Sequence, residues 1–123
     1  MMKEINTKGE MDYDYKNDIL FFKAKNREYS KSIEFDNIVI DVDKENFIVG
    51  MQVFEASKFF RLPKVTLRNV PTWQFQAGVR NNMIEVRLFF HVIYRNKIMR
   101  MNPIIMKELT SNLPASQMVA VPV

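Results

Sequence analysis

Residues 73–94 read Trp-Gln-Phe-Gln-Ala-Gly-Val-Arg, Asn-Asn, Met-Ile-Glu-Val-Arg-Leu-Phe-Phe-His-Val-Ile-Tyr. Trp73, Phe75, Ala77 and Val79 alternate with Gln74, Gln76, Gly78 and Arg80, and Ile84, Val86, Leu88, Phe90, Val92 and Tyr94 continue as an unbroken even series. A period of two marks a strand with one buried face, because successive side chains leave a pleated chain on opposite sides. Asn81-Asn82 is a two-residue loop of the kind that favours a primed turn, so the second run folds back antiparallel on the first. Arg95-Asn96-Lys97 turns the chain again into Ile98 to Asn102, giving a meander of three or four strands.

The same pattern extends upstream. Residues 12–15 and 19–25 flank Lys16-Asn17-Asp18, a tight loop whose Asn tolerates positive φ, and so form a first hairpin. Ile38, Ile40 and Val42, then Phe47, Val49, Met51 and Val53 beyond Lys44-Glu45-Asn46, form a second. A short helix begins at Ser57 and runs to Leu62, where Pro63 stops it. Val65 and Leu67 alternate with Thr66 and Arg68 and read as a further half-buried strand. Pro103 to Leu109, with Ile104, Ile105 and Leu109 as apolar residues, reads as a short terminal helix.

These elements make a mainly β protein, with α+β as the alternative description. It has two antiparallel hairpins, one short mid-chain helix and a three- to four-stranded antiparallel meander, built as two packed sheets or one strongly curved sheet. At 123 residues the chain fits one domain with a core of its own. The compact part is expected over 11–109, as a unit at 12–62 followed by the meander at 64–109. The polar residues 1–10 are expected to be a mobile N-terminus. Residues 110–123, with Pro114, Pro122 and no sustained period, are expected to be a flexible tail.

Within 12–62 the order of motifs is specific: Tyr-Asp-Tyr-Lys-Asn-Asp-Ile-Leu-Phe-Phe from Tyr13, Ile-Val-Ile-Asp-Val-Asp-Lys-Glu-Asn-Phe-Ile-Val-Gly from Ile38, and Glu-Ala-Ser-Lys-Phe-Phe from Glu55. A Tyr-Asp turn opens one hairpin, an Asp-x-Asp turn opens the next, and a Val-Gly strand leads to an Ala-Ser helix start. This pattern resembles domain-of-unknown-function family 2283, small prokaryotic modules. The resemblance implies a small stand-alone or accessory protein with no assigned activity, a class that could include partners of toxin-like proteins, although no residue here points to that role.

Composition narrows the chemistry. The chain has no cysteine, which excludes disulfides, thiolate metal sites and cysteine nucleophiles and agrees with a reducing cytoplasm. Residues 1–11 lack the apolar core of a secretory signal, and no apolar run approaches the ~20 residues that span a bilayer, so a soluble cytoplasmic protein without a membrane partner is expected. Charge is divided along the chain. Residues 1–60 carry nine Lys and Arg against twelve Asp and Glu, whereas residues 61–123 carry nine against two. A basic half meets a polyanion, or the acidic half of the same chain or of a second copy.

Catalytic constellations are sparse. Asp41-Val42-Asp43-Lys44-Glu45-Asn46 resembles a calcium loop only in part: Asn46 replaces the turn glycine and Gln52 stands where a bidentate carboxylate is needed, so Asp43 is expected to accept backbone hydrogen bonds in a turn. Asp12, Asp14 and Asp18 surround the first turn, and a metal bridging the two acidic turns requires the hairpins to lie side by side. His91, the only histidine, shares the odd strand face with Glu85, Arg87, Phe89 and Ile93; acid–base work with Glu85 is one reading and a half-buried sheet histidine the other. Gly9, Gly50 and Gly78 are too few and too scattered for a phosphate-cradling loop. We therefore expect no catalytic residue, metal or cofactor.

Two surfaces remain. Met83, Phe89, Ile93, Met99 and Met101 form an apolar set suited to a homo-oligomer, a dimer first, or to a protein partner. Arg68, Arg80, Arg87, Arg95, Lys97 and Arg100 form a basic set that suits nucleic acid. The aromatic residues that would stack on bases, Trp73, Phe75, Phe90 and Tyr94, fall on the apolar faces, and only Phe89 shares a face with arginines. The expectation is a non-enzymatic oligomeric or partner-binding module, with nucleic-acid binding second and a metal- or carboxylate-dependent enzyme last.

Overall fold

A computed structural model describes residues 3–110 and 113–122. The strands are β1 (Lys3–Asp14), β2 (Ile19–Ala24), β3 (Tyr29–Phe35), β4 (Ile38–Asp43), β5 (Ile48–Phe54), β6 (Trp73–Arg80), β7 (Met83–Tyr94), β8 (Lys97–Met101), β9 (Ile104–Glu108) and β10 (Ser116–Pro122). Between β5 and β6 lie α1 (Ala56–Phe60) and α2 (Lys64–Arg68). All strands join one sheet in the order β3-β4-β5-β2-β1-β10-β6-β7-β8, with β9 also on β7.

The sheet is strongly curved. β1 and β10 separate β2 from β6, which in a flat sheet puts them roughly 14 Å apart. Phe22 of β2 nevertheless stacks on Phe75 of β6, with 3.8 Å between ring centroids. The concave side is the core: Leu20, Ile38, Ile40, Met51 and Val53 from one arm face Ala77, Val79, Ile84, Val86, Leu88 and Met118 from the other. The helices pack onto this core, with Phe60 against Trp73 and Phe90, and Leu67 fully buried.

Both hairpin turns of the meander have left-handed residues at their two central positions, Asn81 and Asn82 at φ 52° and 62°, Arg95 and Asn96 at 51° and 62°. That is the primed geometry the strand twist requires, and it fixes the β6–β7 pairs Trp73↔Phe90 to Arg80↔Met83. Trp73, Phe75 and Phe90 are core, as their parity predicts; Tyr94, at the end of β7, is 38% exposed instead.

Three readings of the sequence are corrected. The two ends, expected to be mobile at 1–10 and 110–123, supply the central parallel pair, β1 on β10, from Lys3↔Ser116 to Gly9↔Pro122. Met1, Met2, Ser111, Asn112 and Val123 lie outside the described residues. Residues 64–68 are a helix: Thr66 and Leu67 are buried side by side while Val65 is exposed, and Pro63 precedes the first turn without an N–H to satisfy. Residues 104–108 are a strand, because β7 is twelve residues long and β8 covers only its C-terminal part. The uncovered backbone groups of β7 recruit β9.

Candidate functional site

Two polar knots, one part-buried around Asp18 and one buried around Asp43, occupy the two acidic turns. In the first, Asp18 sits in a left-handed conformation at φ 56° in the turn between β1 and β2. Its carboxylate accepts the Tyr13 hydroxyl, the Ser57 backbone N–H at 3.0 Å and the Ser57 hydroxyl at 2.6 Å. Burial works to raise the Asp18 carboxyl, but these hydrogen bonds outweigh it and hold the group below the usual carboxylate range. The Tyr13 phenol is pushed well up, by burial first and by donation to Asp18 second. The knot ties the first turn to the start of α1. Asp14 is held below its usual range by hydrogen bonds from the Asn17 side chain and backbone.

In the second knot, Asp43 is 2% exposed. It accepts the backbone N–H groups of Glu45 and Phe47, each at 2.9 Å, and Arg27 Nε at 2.7 Å. The Arg27 guanidinium also lies over the Phe47 ring, 5.2 Å from its centroid. Asp43 thus does what its turn position predicts. Ile19 pairs with Phe54, so the first turn lies at the far end of β5 from the Asp43 turn, about 20 Å away for a seven-residue strand. The two acidic turns do not share a ligand site, and among the described residues no three His, Asp or Glu side chains gather where they could hold a metal.

His91 is exposed, not half-buried, and lies opposite Arg100. Glu85 lies six positions along the same strand and is paired with Arg87 at 2.6 Å. His91 and Glu85 are therefore about 20 Å apart, too far for joint acid–base work.

The convex, outer face of β6 to β9 holds the remaining candidates. Met83, Phe89 and Ile93 lie on it, opposite Arg80, Gln74 and Ile98 in neighbouring strands. Met99 and Met101 do not: they face Val92 and Phe90 on the inner side, so the expected five-residue apolar set is split by the sheet. The six expected cations are also divided. Arg80, Arg87 and Arg100 are on the outer face, Lys97 is opposite Tyr94 on the inner side, and Arg95 lies over Tyr94 at the turn. Arg68 is on α2, 4.5 Å from the Tyr15 ring centroid.

Residues that sequence reading passed over complete the outer face: Ile98 is 74% exposed, Ile104 49% and Met106 55%, beside Ile93 at 66%. The signal for Ile98 was present, since the two-residue turn Arg95-Asn96 fixes Tyr94↔Lys97 and so sets Ile98 against Ile93. A concavity of about 340 Å³ opens on the same face where Gly78 has no side chain, bordered by Gln76, Met83, Glu85, Arg87 and Met106. This part of the outer face thus exposes apolar area beside the edge of the sheet.

Comparison with known proteins agrees with the N-terminal motifs. The model of the family described as Protein of unknown function (DUF2283) matches residues 10–57. The chain is similar to a protein of Methanosarcina mazei named "Putative hypoxanthine phosphoribosyltransferase", 31% identical over 97 residues that cover 79% of each chain. It is also similar to an uncharacterized protein of Methanocaldococcus jannaschii, 29% identical over 91 residues, 73% of this chain and 78% of the relative. No solved structure matches. No helix is long and apolar enough to cross a membrane among the described residues.

Proposed function

The chain belongs to the family described as Protein of unknown function (DUF2283), and on that footing we propose that it is a non-enzymatic module that works by association, through the outer face and free edge of β8 and β9. The observation that carries this reading is the row Ile93, Ile98, Ile104 and Met106, four large apolar side chains each about half exposed or more on one side of the sheet beside its edge. Apolar groups so placed lose contact with water only when a partner covers them. A homodimer is the first form and a protein partner the second, in a cytoplasm that suits a chain without cysteine.

The name of the Methanosarcina relative does not carry over on these residues. Gly9, Gly50 and Gly78 all lie within strands, and both helices have five residues, so no glycine-rich turn feeds a helix start that could receive a phosphate. Nucleic-acid binding is weakened by the division of the basic residues described above.

Light scattering of the full chain in low and high salt, with and without mixed RNA, tests the reading. Association through apolar contacts gives a mass above 14.6 kDa that persists in high salt and ignores RNA. A monomer that gains mass only with RNA at low salt would overturn it.

A further inference from the structure

We propose that two copies of the chain pair edge to edge through β8 and β9, antiparallel about a twofold axis at Ile104, so that one continuous sheet crosses the dimer. This rests on the association reading above and names its partner and register.

The two edges of the sheet differ. β3 is seven residues long, has a register shift between Tyr29 and Lys31, and carries Lys31 and Glu34, the devices that blunt an edge against pairing. The other edge runs unbroken in register. β8 and β9 are one lane: Phe90↔Met101 through Tyr94↔Lys97 and Arg87↔Ile104 through Met83↔Glu108 follow each other along β7 without a shift. Between them the Leu88 N–H donates to the Pro103 carbonyl at 3.1 Å.

That bond settles which way the backbone faces. Residues 97, 99, 101, 103, 105 and 107 direct their N–H and C=O toward β7, and residues 98, 100, 102, 104, 106 and 108 direct theirs outward. Pro103 therefore lacks its N–H on the inner side, where β7 has already formed the lane, and leaves the outer row of donors complete. No strand covers that row among the described residues. The outward-facing residues are also those whose side chains lie on the outer face, including Ile98, Ile104 and Met106.

Charge selects the register. Centred on Asn102, self-pairing sets Lys97 against Lys107 of the second copy. Centred on Pro103, it sets Glu108 against Ile98. Centred on Ile104, it sets Arg100 against Glu108 twice, once in each half, and brings the two Ile104 side chains together on the axis. Arg100 and Glu108 are both exposed, and neither takes part in the ion pairs found among the described residues. Opposite charges across a strand pair stabilise it and like charges oppose it.

The chain has no cysteine, so single cysteines give a clean test. Facing residues in a hydrogen-bonded antiparallel pair have Cα atoms about 5.5 Å apart, within the range a disulfide bridges. Ile104→Cys should form a covalent dimer under mild oxidation and Ile93→Cys, one strand in from the edge, should not. Arg100→Glu should weaken the dimer roughly tenfold, by reversing two pairs, and the double variant Arg100→Glu, Glu108→Arg should restore it. A wild-type dimer that neither cross-links at 104 nor responds to the charge reversals overturns this interface and leaves association standing. A wild-type chain that stays monomeric at high micromolar concentration overturns both.

Discussion

Phe22 and Phe75 stack ring on ring with 15° between their planes, although two strands, β1 and β10, separate their own strands in the sheet. This contact holds the two arms of the curved sheet together, and each ring is at most 3% exposed. Phe75→Ala should lower stability by about 3–5 kcal/mol, from lost transfer energy and the cavity left between the arms. Phe75→Leu should cost less because it refills part of that space. Urea unfolding of the two variants checks this, and a loss below about 1 kcal/mol for the alanine variant would contradict a closed core.

Gly78 is needed for close approach and not for an unusual backbone angle. A Cβ there would lie 2.7 Å from the Ser116 carbonyl oxygen, a backbone atom fixed by the β6–β10 ladder. Gly78→Ala should therefore destabilise by about 1–3 kcal/mol, although alanine suits a strand better than glycine when space allows. Thermal melting that shows no decrease would mean that β10 sits further from β6.

Asp18 gives the protein an acid-sensitive lock. Its folded pKa lies below the unfolded value, so its contribution is fully present above the usual carboxylate pKa of about 4 and is lost as pH falls through the lower folded value. Tyr13 has the opposite sense: its folded pKa is raised, so its contribution is present below the usual phenol value of about 10 and declines as pH rises beyond it. Asp18→Ala should cost about 2–3 kcal/mol at neutral pH, because Ser57 and Tyr13 lose a charged acceptor together. Its stability should also fall less steeply in acid than that of the wild type. Unfolding curves from pH 2 to 7 decide between this and a lock that carries no charge.

The buried pair of Arg27 and Asp43 should respond asymmetrically. Asp43→Ala leaves a guanidinium whose side chain is 19% exposed with only the more distant, exposed Glu45 carboxylate at 3.5 Å, and removes the acceptor of the Glu45 and Phe47 amides. The expected loss is about 3–5 kcal/mol. Asp43→Asn keeps an oxygen for the amides and should lose less. Equal losses in the two variants, measured by urea unfolding, would show that the charge matters and the turn does not.

The hairpins were legible because their cause is local. Alternation over Trp73–Tyr94, the Asn81-Asn82 turn and Asp43 as a turn acceptor each depend on a few consecutive residues. β1 and β10 were not legible for the opposite reason: Ile5, Thr7 and Gly9 make a weak alternating series, and its partner Ser116 to Pro122 lies more than a hundred residues away. β3 was passed over because an edge strand with both faces largely wet has little apolar period. The five residues of α2 are too few to separate a period of 2 from one of 3.6. The apolar row at the edge was half legible. The composition pointed to the strand following β7, but only the register shows that Ile98 and not Met99 shares a face with Ile93.

Amide hydrogen exchange along residues 97–108, measured across a range of protein concentrations, addresses the central claim directly. If the chain associates through this edge, the amides of Ile98, Arg100, Ile104 and Met106 exchange fast in dilute solution and slow as concentration rises, while those of β3 do not change. Exchange at these four positions that is fast and independent of concentration would contradict the account.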